Sequence, residues 1–569
     1  MKQFLKRGSA ILTAPQLSIL SAASIIMVMI VISGVFGLIR RRVLLAYFVP
    51  EEYALLEAAF RFPDLFTAVF ALGTLSSAFI PVFTKIHKTD HKRALDNAAR
   101  LLNLGIAVFL GIFVLFTLLA EPLYKVAAAG FSDSEIATIA SLARIIFLAQ
   151  GFFVISYVLT GVLESLRRFL IPALAPIFYN IGIIIGTALF APRFGLVGVT
   201  FGIVLGALVH ALVQLPSAYR MGFRPRMIFG ITDEIRKIGK LATPRMLELF
   251  ILQIAKMFEL FLASFISTAS YAYFTLAVAV QSLPVGLIGT SIAKAALPTL
   301  TRLDDQPEKF KSTLLSTLYQ VVFLVLPLST ILIVLRIPIV RLLFGTDIFD
   351  WPSTVQTGLV VSAFAIGIPF QSVGALLTRS FYAMDDTKTP VTLSLASTAV
   401  TIVVGYVLVL GFSFPTWALA ISFSMGMIVQ AIALFWVMSK RLNGGALFAL
   451  LPIIKSLIAA ATSGTVMFFL LKIFDRSVWV KRLSFLNGID LTTSLNFERF
   501  VIDTRYTGNL IILSGITTVV GLLVYVLVSY LLGSRELMLM IKLVKTRKFE
   551  GLDEEIEPVS AGSVNTSET

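Results

Sequence analysis

Long apolar runs broken by short clusters of lysine, arginine and turn-forming residues set the pattern of this chain. A helix that crosses a bilayer needs about 20 apolar residues. By that measure the sequence predicts fourteen spans, at 17–39, 57–84, 99–120, 138–163, 170–191, 195–219, 241–267, 270–298, 313–335, 355–381, 389–412, 415–438, 447–473 and 507–533. The polar clusters test the count, because loops on the cytoplasmic side carry an excess of lysine and arginine. With Lys2, Lys6 and Arg7 placed inside, the clusters at 85–93, 167–168, 220–240, 302–311, 388 and 440–441 all fall inside as well. The loops between them are poorer in cations. One stretch breaks the rule. Span 1 is apolar from Leu17 to Leu38, then meets Arg40, Arg41 and Arg42 on the outer side, before VLLAYFVP resumes the apolar pattern.

Charge inside a span is costly, by about 2.5–3.5 kcal/mol per residue on insertion scales. Such residues face a wet cavity, a ligand or the interface. Span 2 carries Glu57, Arg61 and Asp64, which fall within about 60° of one another on a helix. Glu57 and Arg61 have the spacing of an i,i+4 ion pair. Span 7 carries Arg245, Glu248, Lys256 and Glu259 in one stripe. Two readings fit these groups: salt bridges that lock the helices together, or the lining of a cavity that meets a charged substrate or ion. Gln150, Gln253, Gln281 and Gln371 fit either role. Gly198, Gly202 and Gly206 form a small-residue face suited to close helix packing.

Composition agrees with the pattern. The chain has 569 residues, 57% hydrophobic and 14% charged, with a mean hydropathy of +0.92. This is the composition of an all-α polytopic membrane protein. The absence of cysteine excludes disulfides, thiolate metal sites and a cysteine nucleophile. The net charge of +15 is spread over many short loops, which suits anionic lipid rather than nucleic acid. His87 and His91 have a metal-compatible spacing but sit in a basic loop, so a solvated helix face is expected and no metal. There is no phosphate-cradling GxxxxGK[ST] loop and no nucleophile–base set, so a transporter is expected rather than an enzyme.

The chain also repeats itself. GTLSSAFIPVFTK (73–85) aligns with TSIAKAALPTLTR (290–302), placing Pro81 opposite Pro298 (298 − 81 = 217). Pro172 and Pro390 follow matching basic loops at nearly the same offset (390 − 172 = 218). A duplicated six-span unit enters the membrane twice from the same side. It predicts two pseudo-symmetric lobes around a central cavity, with two extra helices at the C-terminus. The expected organisation is a cytoplasmic N-terminus at 1–16, an N-lobe at 17–219, a linker at 220–240 and a C-lobe at 241–438. Helices 13 and 14 occupy 439–533 with an external loop at 474–506. A cytoplasmic tail at 534–569 turns acidic after Phe549.

SGVFGLIRR (33–41), FRFPDLFTAVFALGTLSSAFIPVFTK (60–85), GVLESLRRFLIPALAP (161–176), QLPSAYRMGFRPR (214–226), LPVGLIGTSIAKAALPTLTR (283–302) and RSFYAMDDTKTP (379–390) resemble the MurJ/MviN lipid II flippases. These belong to the multidrug/oligosaccharidyl-lipid/polysaccharide exporter superfamily. The resemblance runs over roughly 15–545. It implies fourteen helices, an alternating-access cavity and a groove beside spans 13 and 14 for a polyprenyl tail. The implied substrate is the undecaprenyl-pyrophosphate-linked peptidoglycan precursor, flipped across a bacterial cytoplasmic membrane in which both termini are cytoplasmic. Membrane lipids and cell-wall synthesis proteins are the implied partners. No cofactor is implied beyond a coupling cation of unknown identity.

The resemblance assigns the pyrophosphate to Arg40 and Arg61, with Arg41 and Arg42 beside them as this chain's own additions. Glu57 and Asp64 are supporting acids, and Lys256 and Glu259 respond to an ion or to voltage. Arginine suits pyrophosphate through its planar two-donor fork. The chain also departs from the family pattern: Gly34, Thr67, Ala68 and Ala279 stand where the family has arginines, and Ala54 and Leu72 where it has acids. The alternatives are export of another polyprenyl-linked glycan or of small cationic drugs, and a non-transporting envelope scaffold.

Overall fold

A computed structural model describes residues 19–72, 78–442, 450–474 and 507–546. The side chains of 19–26, 71–72, 248 and 543–546 are not included. The expected N-terminal segment, most of the external loop 474–506 and the acidic tail lie outside the described residues. What is described is 88% helical, with no strand.

In chain order the helices are α1 (Ile19–Leu44), α2 (Pro50–Ala59), α3 (Arg61–Phe66), α4 (Ile80–His87), α5 (His91–Ala127), α6 (Asp133–Ser165) and α7 (Leu170–Arg220). They continue with α8 (Asp233–Ser264), α9 (Thr268–Pro284), α10 (Ser291–Arg302), α11 (Pro307–Val334), α12 (Arg336–Phe344) and α13 (Trp351–Ala383). The last are α14 (Lys388–Tyr406), α15 (Trp417–Arg441), α16 (Leu450–Phe474), α17 (Thr507–Leu531) and α18 (Arg535–Thr546). Ten helical stretches are long and apolar enough to cross a membrane. One of them is α7, whose 51 residues would measure about 77 Å if straight, more than twice a bilayer core. It folds back at Gly195, where φ is +56° and ψ is −138°, and so supplies spans 5 and 6. With α1, the segmented span 2 and the charge-bearing α8, the described helices make the expected fourteen crossings.

The chain divides into two compact units. The first holds 1–276, 343–357 and 405–419; the second holds 277–342, 358–404 and 420–569. In the first unit the two halves of α7 meet glycine to glycine. A Cβ on Gly186 would lie 2.2 Å from the Cα of Gly202, and one on Gly182 would lie 2.4 Å from the Cα of Gly206. Lipid gives helices no hydrophobic drive to associate, so close backbone approach of this kind supplies the packing energy. Phe79, Phe83, Leu159, Val162, Phe223 and Ile238 form part of a buried core near the basic loops. The linker is strapped onto α5: Asn103 Nδ2 donates to the carbonyls of Arg226 (2.8 Å) and Ile228 (2.9 Å).

In the second unit α11, α16 and α17 pack together. Tyr525 donates to the carbonyl of Phe323 at 2.8 Å, and Ser463 to the carbonyl of Gly521 at 2.6 Å.

Span 2 differs from the single helix expected at 57–84. It starts at Pro50 and runs as α2, α3, a π-helical turn at Thr67–Leu72 and α4. The cause is Pro63. It has no N–H for the carbonyl of Ala59, four residues earlier, so the ladder breaks between α2 and α3. Tyr124 of α5 takes the vacated acceptor, its hydroxyl donating to Ala59 O at 2.8 Å. A second π-helical turn occurs at Val285–Thr290, between α9 and α10. It starts 218 residues after the first (285 − 67 = 218), the offset of the sequence repeat.

Candidate functional site

Five membrane-embedded elements of the first unit bring charged and phenolic groups together. The C-terminal end of α1 carries Arg40 and Arg41. Arg41 lies within electrostatic range of Tyr53 and Glu57 on α2. Arg42 is exposed; it lies 200° round the helix from Arg40, by two steps of 100°. Arg61, at the start of α3, donates through Nε to the hydroxyl of Tyr271 on α9, and its guanidinium stands 5.2 Å from the centre of the same ring. Glu259 of α8, Asp64 and Glu57 all act on Arg61. Asp64 in turn lies in the field of Arg61, Glu57, Lys256 and Arg40. Asp64 and Lys256 are exposed while Arg61 and Glu259 are half-buried, so these charges are open to solvent or ligand. Gln253 of α8 closes the set by donating to the carbonyl of Asp64 at 3.3 Å.

Seven of the eight site residues expected from sequence, Arg40, Arg41, Glu57, Arg61, Asp64, Lys256 and Glu259, therefore converge on one region. Arg42 is the exposed member of the arginine run. The side chain of Glu248 lies outside the described residues. The i,i+4 ion pair expected between Glu57 and Arg61 is replaced. The break at Phe60 falls between them, and each takes a tyrosine: Tyr53 donates to Glu57 at 2.7 Å, and Tyr271 holds Arg61. Sequence alone gave no signal for Tyr53 or Tyr271, because a tyrosine in a span is most often packing. Thr67 contacts the amide oxygen of the buried Gln150. His210 is held apart in its own buried network, 2.6 Å from Ser156 Oγ, with Gln214 donating to the same hydroxyl at 2.5 Å. His87 and His91 stand with their Nδ1 atoms 2.9 Å apart at the exposed turn before α5. Among the described residues no group of three or more metal-ligating side chains occurs.

The model of the family described as "Lipid II flippase MurJ" matches residues 52–489. This chain belongs to the MurJ family. Relatives named probable lipid II flippase MurJ include one from Bdellovibrio bacteriovorus, 29% identical over 75% of this chain and 84% of that one. Another, from Thermotoga maritima, is 28% identical over 72% of this chain and 81% of its own length. Among solved structures, a MurJ in an inward closed conformation superposes with a TM-score of 0.70, covering 92% of this chain and 99% of that one at 21% identity. An inward-facing multidrug transporter of the MATE family superposes with a TM-score of 0.62, covering 72% of this chain and 94% of that one at 17% identity. At such identities the superpositions establish a shared polytopic helical fold. The family match contains Glu57, Arg61, Asp64, Lys256 and Glu259, whereas Arg40–Arg42 precede it.

Proposed function

We propose that this MurJ family member flips lipid II, the polyprenyl-pyrophosphate-linked peptidoglycan precursor, across a bacterial cytoplasmic membrane, with both termini on the cytoplasmic side. The observation that carries this reading is the gathering of Arg40, Arg41 and Arg61 with three carboxylates inside membrane-spanning helices. Tyr271 engages Nε of Arg61, so the fork of its two terminal nitrogens is the part that takes a phosphate. Glu57, Asp64 and Glu259 balance the cations while no substrate is bound. An arriving pyrophosphate replaces them as the counter-charge, and this exchange couples binding to a change in which side of the cavity is open. Lys256 and Glu259 respond to an ion or to the membrane potential, which does about 2.3 kcal/mol of work per charge per 100 mV.

The test is complementation of a flippase-depleted bacterium, with flipping assayed in proteoliposomes. Arg40→Ala combined with Arg61→Ala lowers the rate at least about tenfold, the scale of losing one or two charge-assisted hydrogen bonds. Full rescue by the double variant overturns the assigned roles.

A further inference from the structure

We propose that the first unit also holds an apolar site that binds the first isoprene units of the prenyl chain whose pyrophosphate occupies the charged cluster. The proposal rests on the reading above.

A cavity of about 220 Å³ lies among the bent span 2, α5, α6 and α8, walled by Phe66, Phe70, Leu104, Val154, Tyr157 and Gly239. Of all its lining residues, Tyr157 alone carries a hydrogen-bonding side chain. A buried water needs two to four polar partners, so such a space excludes water and accepts hydrocarbon. Leu104 and Val108 line it and are 37% and 38% exposed, on the membrane-spanning part of α5. Left empty, the walls would forfeit their dispersion contacts on one side.

Two features tie this cavity to the charged cluster rather than to bulk lipid. Tyr157 lines the cavity and also lies within electrostatic range of Asp64. Gln253, which donates to the carbonyl of Asp64, stands two turns beyond Met246 of the cavity wall on the same face of α8. An amphiphile with its anionic head at Arg61 therefore finds an apolar wall where its chain begins. This place is separate from the groove expected beside spans 13 and 14, which lie in the second unit.

Gly239 gives a clean way to fill the space, because a Cβ placed there meets no atom within 4 Å. The full chain is reconstituted in nanodiscs and exposed to two photoreactive probes. One is a polyprenyl pyrophosphate with a diazirine in its first isoprene units; the other is a polyprenol with the same diazirine and no pyrophosphate. Both are expected to label peptides carrying Leu104–Val108 or Val154–Val158. Gly239→Leu should lower that labelling about fivefold or more, the scale of excluding one or two methylenes from an apolar site. Val158→Ala, which enlarges the cavity, should keep the labelling and shows that a folded variant still binds.

Unchanged labelling in Gly239→Leu overturns the site. So does displacement of the label by phosphatidylglycerol as effectively as by unlabelled polyprenyl pyrophosphate. Labelling by the polyprenol alone, abolished by Gly239→Leu, supports the cavity and overturns the pyrophosphate reading. Labelling by neither probe overturns the cavity.

Discussion

Arg61 shows how packing fixes the orientation of a single charged side chain. Its Nε is fixed to Tyr271 and its guanidinium lies against the same ring, so the fork is held in one orientation. Tyr271→Phe keeps the ring and removes the hydroxyl. It should lower flipping in proteoliposomes about ten- to a hundredfold, the cost of one hydrogen bond to a charged group, with little change in thermal stability. Arg61→Lys should not restore activity, since an ammonium reproduces neither the fork nor the stacking. Asp386 illustrates a purely structural charge. It sits between α13 and α14, outside the membrane, and accepts from the hydroxyl and backbone N–H of Thr389 and from Arg441 at 2.5 Å. These partners, Thr389 first, hold its carboxyl down at about 2. An aspartate in the unfolded chain titrates near 3.9. The folded value is the lower one, so its stabilising effect is complete above about pH 4 and is lost as pH falls toward 2. The gap in thermal midpoint between wild type and Asp386→Asn should close over that window.

At the scale of elements, proline and glycine decide geometry. Pro63 ends α2, and Tyr124 reaches across from α5 to satisfy the carbonyl that the proline leaves open. Tyr124→Phe leaves that carbonyl unpaired inside the membrane domain. It should cost about 1–3 kcal/mol, read as a lower thermal midpoint in detergent. Gly186 faces the Cα of Gly202 with no room for a side chain. Gly186→Leu should abolish monodisperse protein, whereas Gly239→Leu, with open space beside it, should not. π-helical turns occur at Thr67–Leu72 in span 2 and at Val285–Thr290 in span 8, the second directly after Pro284.

For the whole molecule, the lack of cysteine makes topology directly measurable. Single cysteines at Thr89 and Asp133 lie in loops expected on opposite sides of the membrane. A membrane-impermeant maleimide added to intact spheroplasts should label Asp133→Cys and leave Thr89→Cys unlabelled. The reverse result would invert the orientation, and with it the placing of Arg40–Arg42 toward the outer side.

The spacing of apolar runs and the sign of the loops determined the all-α membrane class, the fourteen crossings and the basic loops. The reason is that a bilayer demands about 20 apolar residues per helix and sorts cations between its two faces. The in-span charges at 40–42, 57, 61, 64, 256 and 259 were also legible, because charge in an apolar run is costly enough to stand out. Tertiary structure alone decided the rest. Periodicity treats a helix as straight, so it paired Glu57 with Arg61 and missed the break at Phe60 that gives each its own tyrosine. It gave no sign that Arg41 is half-buried beside Tyr53 and Glu57 while Arg42 is exposed. Residues far apart in the chain, such as Arg61 and Tyr271 or Tyr157 and Asp64, meet only when the helices pack, and that packing places the charged cluster beside an apolar cavity.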